Sequence, residues 1–106
     1  MTKLGHLING IRIDREERTQ DIYNPSVGEV AGQVGLASKT TVEEAVAAAE
    51  AAYPAWRDTP PAKRARIMFR FKQLLEDNAD EIGRLIGQEH GKIVHDAQGE
   101  LARGIE

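Results

Sequence analysis

The period of the apolar residues changes at Ser38, and that change divides the chain in two. Before it, apolar residues alternate or pair up between turn formers; after it they recur every three or four positions. The pattern predicts leading β-hairpins, or a small antiparallel sheet, over residues 1–38 and amphipathic helices over 39–106. Leu7-Ile8 and Ile11-Arg12-Ile13 flank Asn9-Gly10, a dipeptide that tolerates the two positive φ angles of a tight hairpin turn. Asp14-Arg15-Glu16-Glu17-Arg18 offers no apolar residue to bury and reads as a solvated loop. A second extended run, Thr19 to Tyr23, ends at Asn24-Pro25-Ser26-Val27-Gly28-Glu29. There Pro25 disfavours helix just before it and Gly28 can close a turn. Val30, Val34 and Leu36 then alternate with Ala31, Gln33 and Gly35, and Gly32 thins the apolar face.

In the helical part, Thr40-Thr41-Val42-Glu43 has the form of a capping box. Val42, Ala45, Val46, Ala49, Tyr53 and Trp56 follow at helical spacing, and Pro54 is expected to end or kink that helix near Tyr53. Thr59-Pro60 reads as the next start signal. Ile67, Met68, Phe71, Leu74 and Leu75 cluster on one face of the helix it opens. Asn78-Ala79-Asp80-Glu81 looks like a fresh cap for a turn carrying Ile82, Leu85 and Ile86, which His90-Gly91-Lys92 should stop. A last amphipathic pattern, Ala97, Leu101 and Ile105, begins near Asp96 and is still running at Glu106, as though the chain were cut inside a helix. Trp56, Phe71 and Leu75 are expected on the buried face shared by helices and strands.

Composition excludes several functional classes. With 106 residues the chain suits one domain at most, and 41% hydrophobic content with a net charge of −3 is not that of a disordered chain. Fourteen Lys+Arg against 17 Asp+Glu argue against nucleic-acid binding. No apolar run approaches the roughly 18 residues of a membrane span. Met1-Thr2-Lys3-Leu4-Gly5-His6 lacks an apolar signal region, so a cytoplasmic location is expected. There is no cysteine, which removes disulfides, thiolate metal ligands and thiol nucleophiles together.

Chemistry-bearing spacings are weak. Gly28, Gly32 and Gly35 are spaced G-x3-G-x2-G, unlike the dinucleotide fingerprint, and read as strand and turn glycines. Gly87-Gln88-Glu89-His90-Gly91-Lys92 lacks one spacer of a P-loop, and Ile93 stands where a magnesium-binding hydroxyl is needed. His90 and His95, beside Glu89 and Asp96, are five apart with Gly91 between them, a spacing that does not converge on one ion. Glu76, Asp77, Asp80 and Glu81 are explained by the dipole of a helix start. Ser26 is not in a nucleophile elbow, because Asn24 stands where glycine is required. No catalytic, cofactor-binding or metal-ligating residue is therefore assigned within the chain.

Taken in order and spacing, Ile8-Asn9-Gly10, Asn24-Pro25-Ser26-Val27-Gly28-Glu29, Ala52-Tyr53-Pro54-Ala55-Trp56, Arg64-Ala65 and Glu89-His90-Gly91-Lys92 resemble aldehyde dehydrogenases. Asp21-Ile22-Tyr23-Asn24-Pro25 and Asp96-Ala97-Gln98-Gly99-Glu100, followed by Arg103-Gly104-Ile105-Glu106, look most like the CoA-acylating methylmalonate-semialdehyde dehydrogenases. The resemblance runs from about Leu7 to Glu106. It implies an α/β fold, with residues 1–106 forming the N-terminal part of an NAD-binding domain. It also implies an enzyme in which a cysteine thiolate attacks the aldehyde, hydride passes to NAD, and the thioester passes to coenzyme A. The catalytic Cys, the activating Glu and the oxyanion Asn of that family lie in later segments and have no counterpart here. NAD and coenzyme A are thus expected in the full-length enzyme and not on this segment alone. The implied partners are the remainder of the dehydrogenase chain and further copies in a homo-oligomer (dimer or tetramer), without nucleic acid or membrane. In some relatives a monovalent cation sits between carbonyls before the Asn-Pro turn and an acid; the matching positions are Ile22, Tyr23 and Glu89. The rival reading is a free-standing α+β interaction module that uses the basic Lys63–Lys72 helix face.

Overall fold

A computed structural model describes residues 2–106. Five short strands come first: β1 (Thr2–Leu4), β2 (His6–Ile8), β3 (Ile11–Ile13), β4 (Thr19–Asn24) and β5 (Glu29–Gly35). Four helices follow: α1 (Lys39–Asp58), α2 (Pro61–Asp77), α3 (Ala79–His90) and α4 (Val94–Ile105). The chain divides into two compact units, one running to Tyr23 and resuming over Val30–Thr59, the other made of Asn24–Glu29 and Pro60–Glu106.

In the first unit, β2 and β3 form the expected antiparallel hairpin, pairing His6 with Ile13, Leu7 with Arg12 and Ile8 with Ile11. Asn9 (φ 52°) and Gly10 (φ 74°) make its turn. The other three strands form a sheet in the order β1-β5-β4. Here the expectation of a purely antiparallel arrangement fails, because β1 runs parallel to β5 with Thr2 opposite Gly32 and Leu4 opposite Val34. Gly32 makes that pairing possible: a Cβ at this position would lie 2.6 Å from the Thr2 carbonyl oxygen. The glycine that thinned the apolar pattern is thus where a neighbouring backbone approaches closely.

α1 begins earlier and ends later than its sequence signals suggest. Its cap is Ser38, whose hydroxyl oxygen accepts from the Thr41 amide at 3.2 Å, so Thr41 is an interior first-turn residue and not part of a capping box. Pro54 lies inside the helix, which continues to Asp58. Glu50 and Pro54 are both exposed, so the backbone position that loses its internal bond at the proline is open to solvent. Thr59 closes this helix instead of opening the next, its amide and its hydroxyl both donating to the Ala55 carbonyl.

In the second unit, Asn78 also acts backwards: its Nδ2 donates to the Leu74 carbonyl at 2.7 Å, tying off α2, while Asp80 and Glu81 occupy the first turn of α3. Gly91 ends α3 with φ +87° and donates to Gly87 O at 2.8 Å, the left-handed stop expected from its position. α4 starts at Val94, two residues before the expected Asp96. α3 and α4 pack on each other with Gly83 and Ala97 buried.

The expected large core is not present among the described residues. Ala97, at 0% relative exposure, is the buried hydrophobic residue, and no large side chain is fully buried. Trp56 is 42% exposed and Phe71 52%, while Leu75 is half-buried. The helical spacing of these residues is as expected. Within these 106 residues, however, their faces have too little opposite them to bury.

Candidate functional site

The most organised polar group lies in the first unit, where the loop after β3 meets the start of α1. Glu16 belongs to the charged run expected to be solvated, yet its side chain is only 7% exposed. One carboxylate oxygen accepts from the Thr41 hydroxyl and the other from the Ser38 amide at 3.2 Å. Thr41 itself is 3% exposed. The Ser38 hydroxyl lies 3.1 Å from the Thr41 hydroxyl, and Arg15 forms an ion pair with Glu44 beside them. His6 Nε2 is 3.4 Å from a Glu16 oxygen, but it is buried and lacks hydrogen-bond geometry to any partner.

The electrostatics follow from these contacts. The Thr41 hydroxyl, then the Ser38 amide and the neighbouring His6 and Arg15, hold the Glu16 carboxyl below the usual carboxylate range, against the opposing effect of burial. The Glu44 carboxylate raises the Arg15 guanidinium. A hydroxyl, a carboxylate and an imidazole in one cluster invite a nucleophilic reading. The connectivity opposes it, because the Thr41 hydroxyl that donates to the carboxylate belongs to a buried residue and both carboxylate oxygens are already engaged. The cluster fastens chain to chain.

Residue patterns alone did not point to this cluster. Its partners are 22 and 25 positions apart, and the only local signal was a hydroxyl residue near a helix start.

A second feature, within the other unit, is a cleft of about 650 Å³ between the Asn24–Gly28 turn and the α3–α4 pair. Ser26 N–H donates to Asn24 Oδ1 at 2.9 Å and Gly28 N–H to the Asn24 carbonyl at 2.8 Å, which shapes the turn. Pro25 seats against Gly91, where an added Cβ would be 3.2 Å from Pro25 Cγ. Lys92 on the cleft wall pairs with Glu100, whose carboxyl it lowers, and Arg84 reaches Gln88 at 3.4 Å.

The residues singled out by motif fall as follows. Gly28 closes the turn at φ +72°, and Gly32 and Gly35 are buried in β5. The Gly87–Lys92 stretch is the end of α3 and its stop. His90 and His95 are exposed on successive helices, and among the described residues no group of three His, Cys, Asp or Glu could hold a metal ion. Glu76 pairs with Lys72, and Asp77 accepts from Gln73. Lys63, Arg66 and Arg70 are exposed on α2. Ile22 and Tyr23 lie on β4 and Glu89 in the last turn of α3. Ser38 and Pro60 precede α1 and α2, and Asn78 and Ile93 precede α3 and α4. None of these four positions is a glycine. No helix is long and apolar enough to cross a membrane among the described residues.

Comparison with known proteins accounts for a segment of this kind. The model of the aldehyde dehydrogenase family matches residues 13–106. This chain belongs to the aldehyde dehydrogenase family. Over all 106 residues it is 55% identical to a malonate-semialdehyde dehydrogenase of Pseudomonas aeruginosa, of which it covers 21%. A Bacillus pumilus malonate-semialdehyde dehydrogenase is 43% identical over 97% of the chain, again a 21% share of that relative. Among solved structures, the methylmalonate-semialdehyde dehydrogenase of Oceanimonas doudoroffii superposes with a TM-score of 0.96 at 62% identity, covering 99% of this chain and 22% of that one. A Sinorhizobium meliloti protein assigned to the same enzymes, and complexed with NAD, gives 0.96 at 44% over the same shares. The chain thus spans about a fifth of the length of the aldehyde dehydrogenases it matches.

Proposed function

We propose that this chain is the N-terminal part of the NAD-binding domain of an NAD-dependent, CoA-acylating dehydrogenase acting on malonate or methylmalonate semialdehyde. The observation that carries the reading is 55% identity to a malonate-semialdehyde dehydrogenase across the whole chain, supported by the 0.96 superposition on a methylmalonate-semialdehyde dehydrogenase. The reaction is oxidation of the semialdehyde to an acyl-CoA: the aldehyde gives up hydride to NAD, and the coenzyme A thiol supplies the sulfur of the product. The nucleophile is a cysteine, and this chain has none, so its share of the work is scaffolding. Its strands and helices build one side of the domain, and the Glu16 cluster and the Gly91 stop hold their loops in place. A homo-oligomeric, cytoplasmic enzyme is part of the same proposal.

The test is the complete protein encoded by the gene, given NAD and each semialdehyde with and without coenzyme A. Formation of NADH together with an acyl-CoA identified by mass spectrometry is the expected result. Release of the free acid at an undiminished rate without coenzyme A would overturn the acylating assignment, and absence of NADH with either substrate would overturn the whole reading.

A further inference from the structure

We infer that Glu16 is a proton-released clasp that fastens the β3–β4 connection to the first turn of α1. Three observations carry this, and none depends on the reaction proposed above. First, the carboxylate is shielded from water and both of its oxygens are used, one by the Thr41 hydroxyl and one by the Ser38 amide. Both donors lie at the start of one helix, so a single side chain satisfies a free amide of that start and a buried hydroxyl. Second, space has been left for it: a Cβ on Gly35 would stand 3.2 Å from Glu16 Cβ, so the glycine lets the acid's stem lie over the end of β5. Third, a cleft lined by Arg15, Glu16, Glu17, Arg18, Ser38 and Thr41 brings solvent to the edge of the cluster and gives protons a way in.

The groups around the acid set the direction of the switch. From β2 His6 faces it at 3.4 Å. From its own loop come Arg15, engaged with Glu44 of α1, and Arg18, which donates to the Ala37 carbonyl at 3.1 Å. Asp14 points to Lys3 of β1, and Lys39 on α1 is paired with Glu43. The donors and cations nearest the carboxylate favour its charged form, so its native pKa lies below that of the unfolded chain. The fastening is therefore complete above the ordinary carboxylate range and is lost as pH falls through the lower native value. A protonated carboxyl loses the charge that strengthens both bonds, and its new hydrogen either opposes the donor-only Ser38 amide or turns the Thr41 hydroxyl from donor to acceptor.

Hydrogen exchange on the complete protein, read by mass spectrometry and corrected for intrinsic pH dependence, tests the clasp. The segment to follow is 36–46, compared with 94–105 in α4 as an internal control. In the wild type, exchange in 36–46 should rise roughly tenfold as pH falls below the ordinary carboxylate range while the control stays protected. Glu16→Gln puts an amide nitrogen against the Ser38 N–H or the Thr41 hydroxyl, so its 36–46 segment should exchange fast at neutral pH and show no step. Thr41→Val keeps the helix but removes one donor and should shift the step to higher pH, with Thr41→Ser restoring it. If Glu16→Gln does not fold, the two Thr41 variants decide. A flat wild-type profile, loss of both segments at one pH, or a step unmoved by Thr41→Val would overturn the inference.

Discussion

Within the second unit, α2 and the α3–α4 pair both carry apolar residues at helical spacing and end up in opposite circumstances. α3 and α4 meet through small residues: Gly83 lies against Gln98, 3.5 Å from where its Cβ would be, and Ala97 is sealed. Two helices with small contact residues can approach until backbone and side chain fill the gap, so the pair buries the residues where it meets, Gly83 and Ala97. α2 offers Ile67, Met68, Phe71 and Leu74, all more than half exposed, and has no buried residue at all. Periodicity thus tells which side of a helix is apolar, and residue size tells whether the segment can bury that side alone.

The comparison can be broken most directly by putting bulk into the one and removing it from the other. Ala97→Leu should destabilise the chain by about 1–3 kcal/mol through overpacking, read by thermal or urea unfolding. Phe71→Ala in the same 106 residues should cost well under that, because half of the ring is already in water. In the complete protein the order should reverse, with Phe71→Ala costing roughly 3–5 kcal/mol if the rest of the enzyme covers α2. Equal costs for Phe71→Ala in both contexts would show that α2 stays bare.

A smaller effect is expected at the α3 stop. Gly91→Ala forces a side chain into left-handed backbone and against Pro25, and should cost about 1–2 kcal/mol. Smallest of all is the Lys92–Glu100 pair, which joins the start of the α4 region to its middle in partly exposed surroundings. Its hydrogen bond lowers the Glu100 carboxyl, so the pair's contribution is present above the unfolded carboxylate value and fades as pH falls through the lower native one. Lys92→Met should therefore flatten the acid limb of the stability curve slightly, with little change at neutral pH in high salt. A large loss that salt does not alter would mean that Lys92 packs instead of pairing.

What could be read in advance was local. The Asn9-Gly10 hairpin and the Gly91 stop depend on two or three adjacent residues and their φ angles, and both stand as expected. What escaped depends on residues far apart in the chain. β1 is visible as a strand only through its pairing with β5, thirty positions on. Glu16 looked solvated because its partners lie beyond another hairpin. Thr59 and Asn78 carry the signature of helix starts yet close the preceding helices, since the same side chains that cap an amide can reach back to a carbonyl, and composition does not distinguish the two. The expectation that catalysis lies outside these residues rests on chemistry alone, since a chain with no cysteine has no thiolate to offer.

On the proposed function these residues are scaffold for the enzyme and carry neither its nucleophile nor its cofactor cradle. Titrating NAD into the purified 106-residue segment by calorimetry, with an aldehyde-plus-CoA assay on the same sample, tests it most directly. No turnover above background and no binding tighter than about 0.1 mM (roughly 5.5 kcal/mol) is the outcome the account predicts. Saturable NAD binding below that concentration, or acyl-CoA formed by the segment alone, would contradict it.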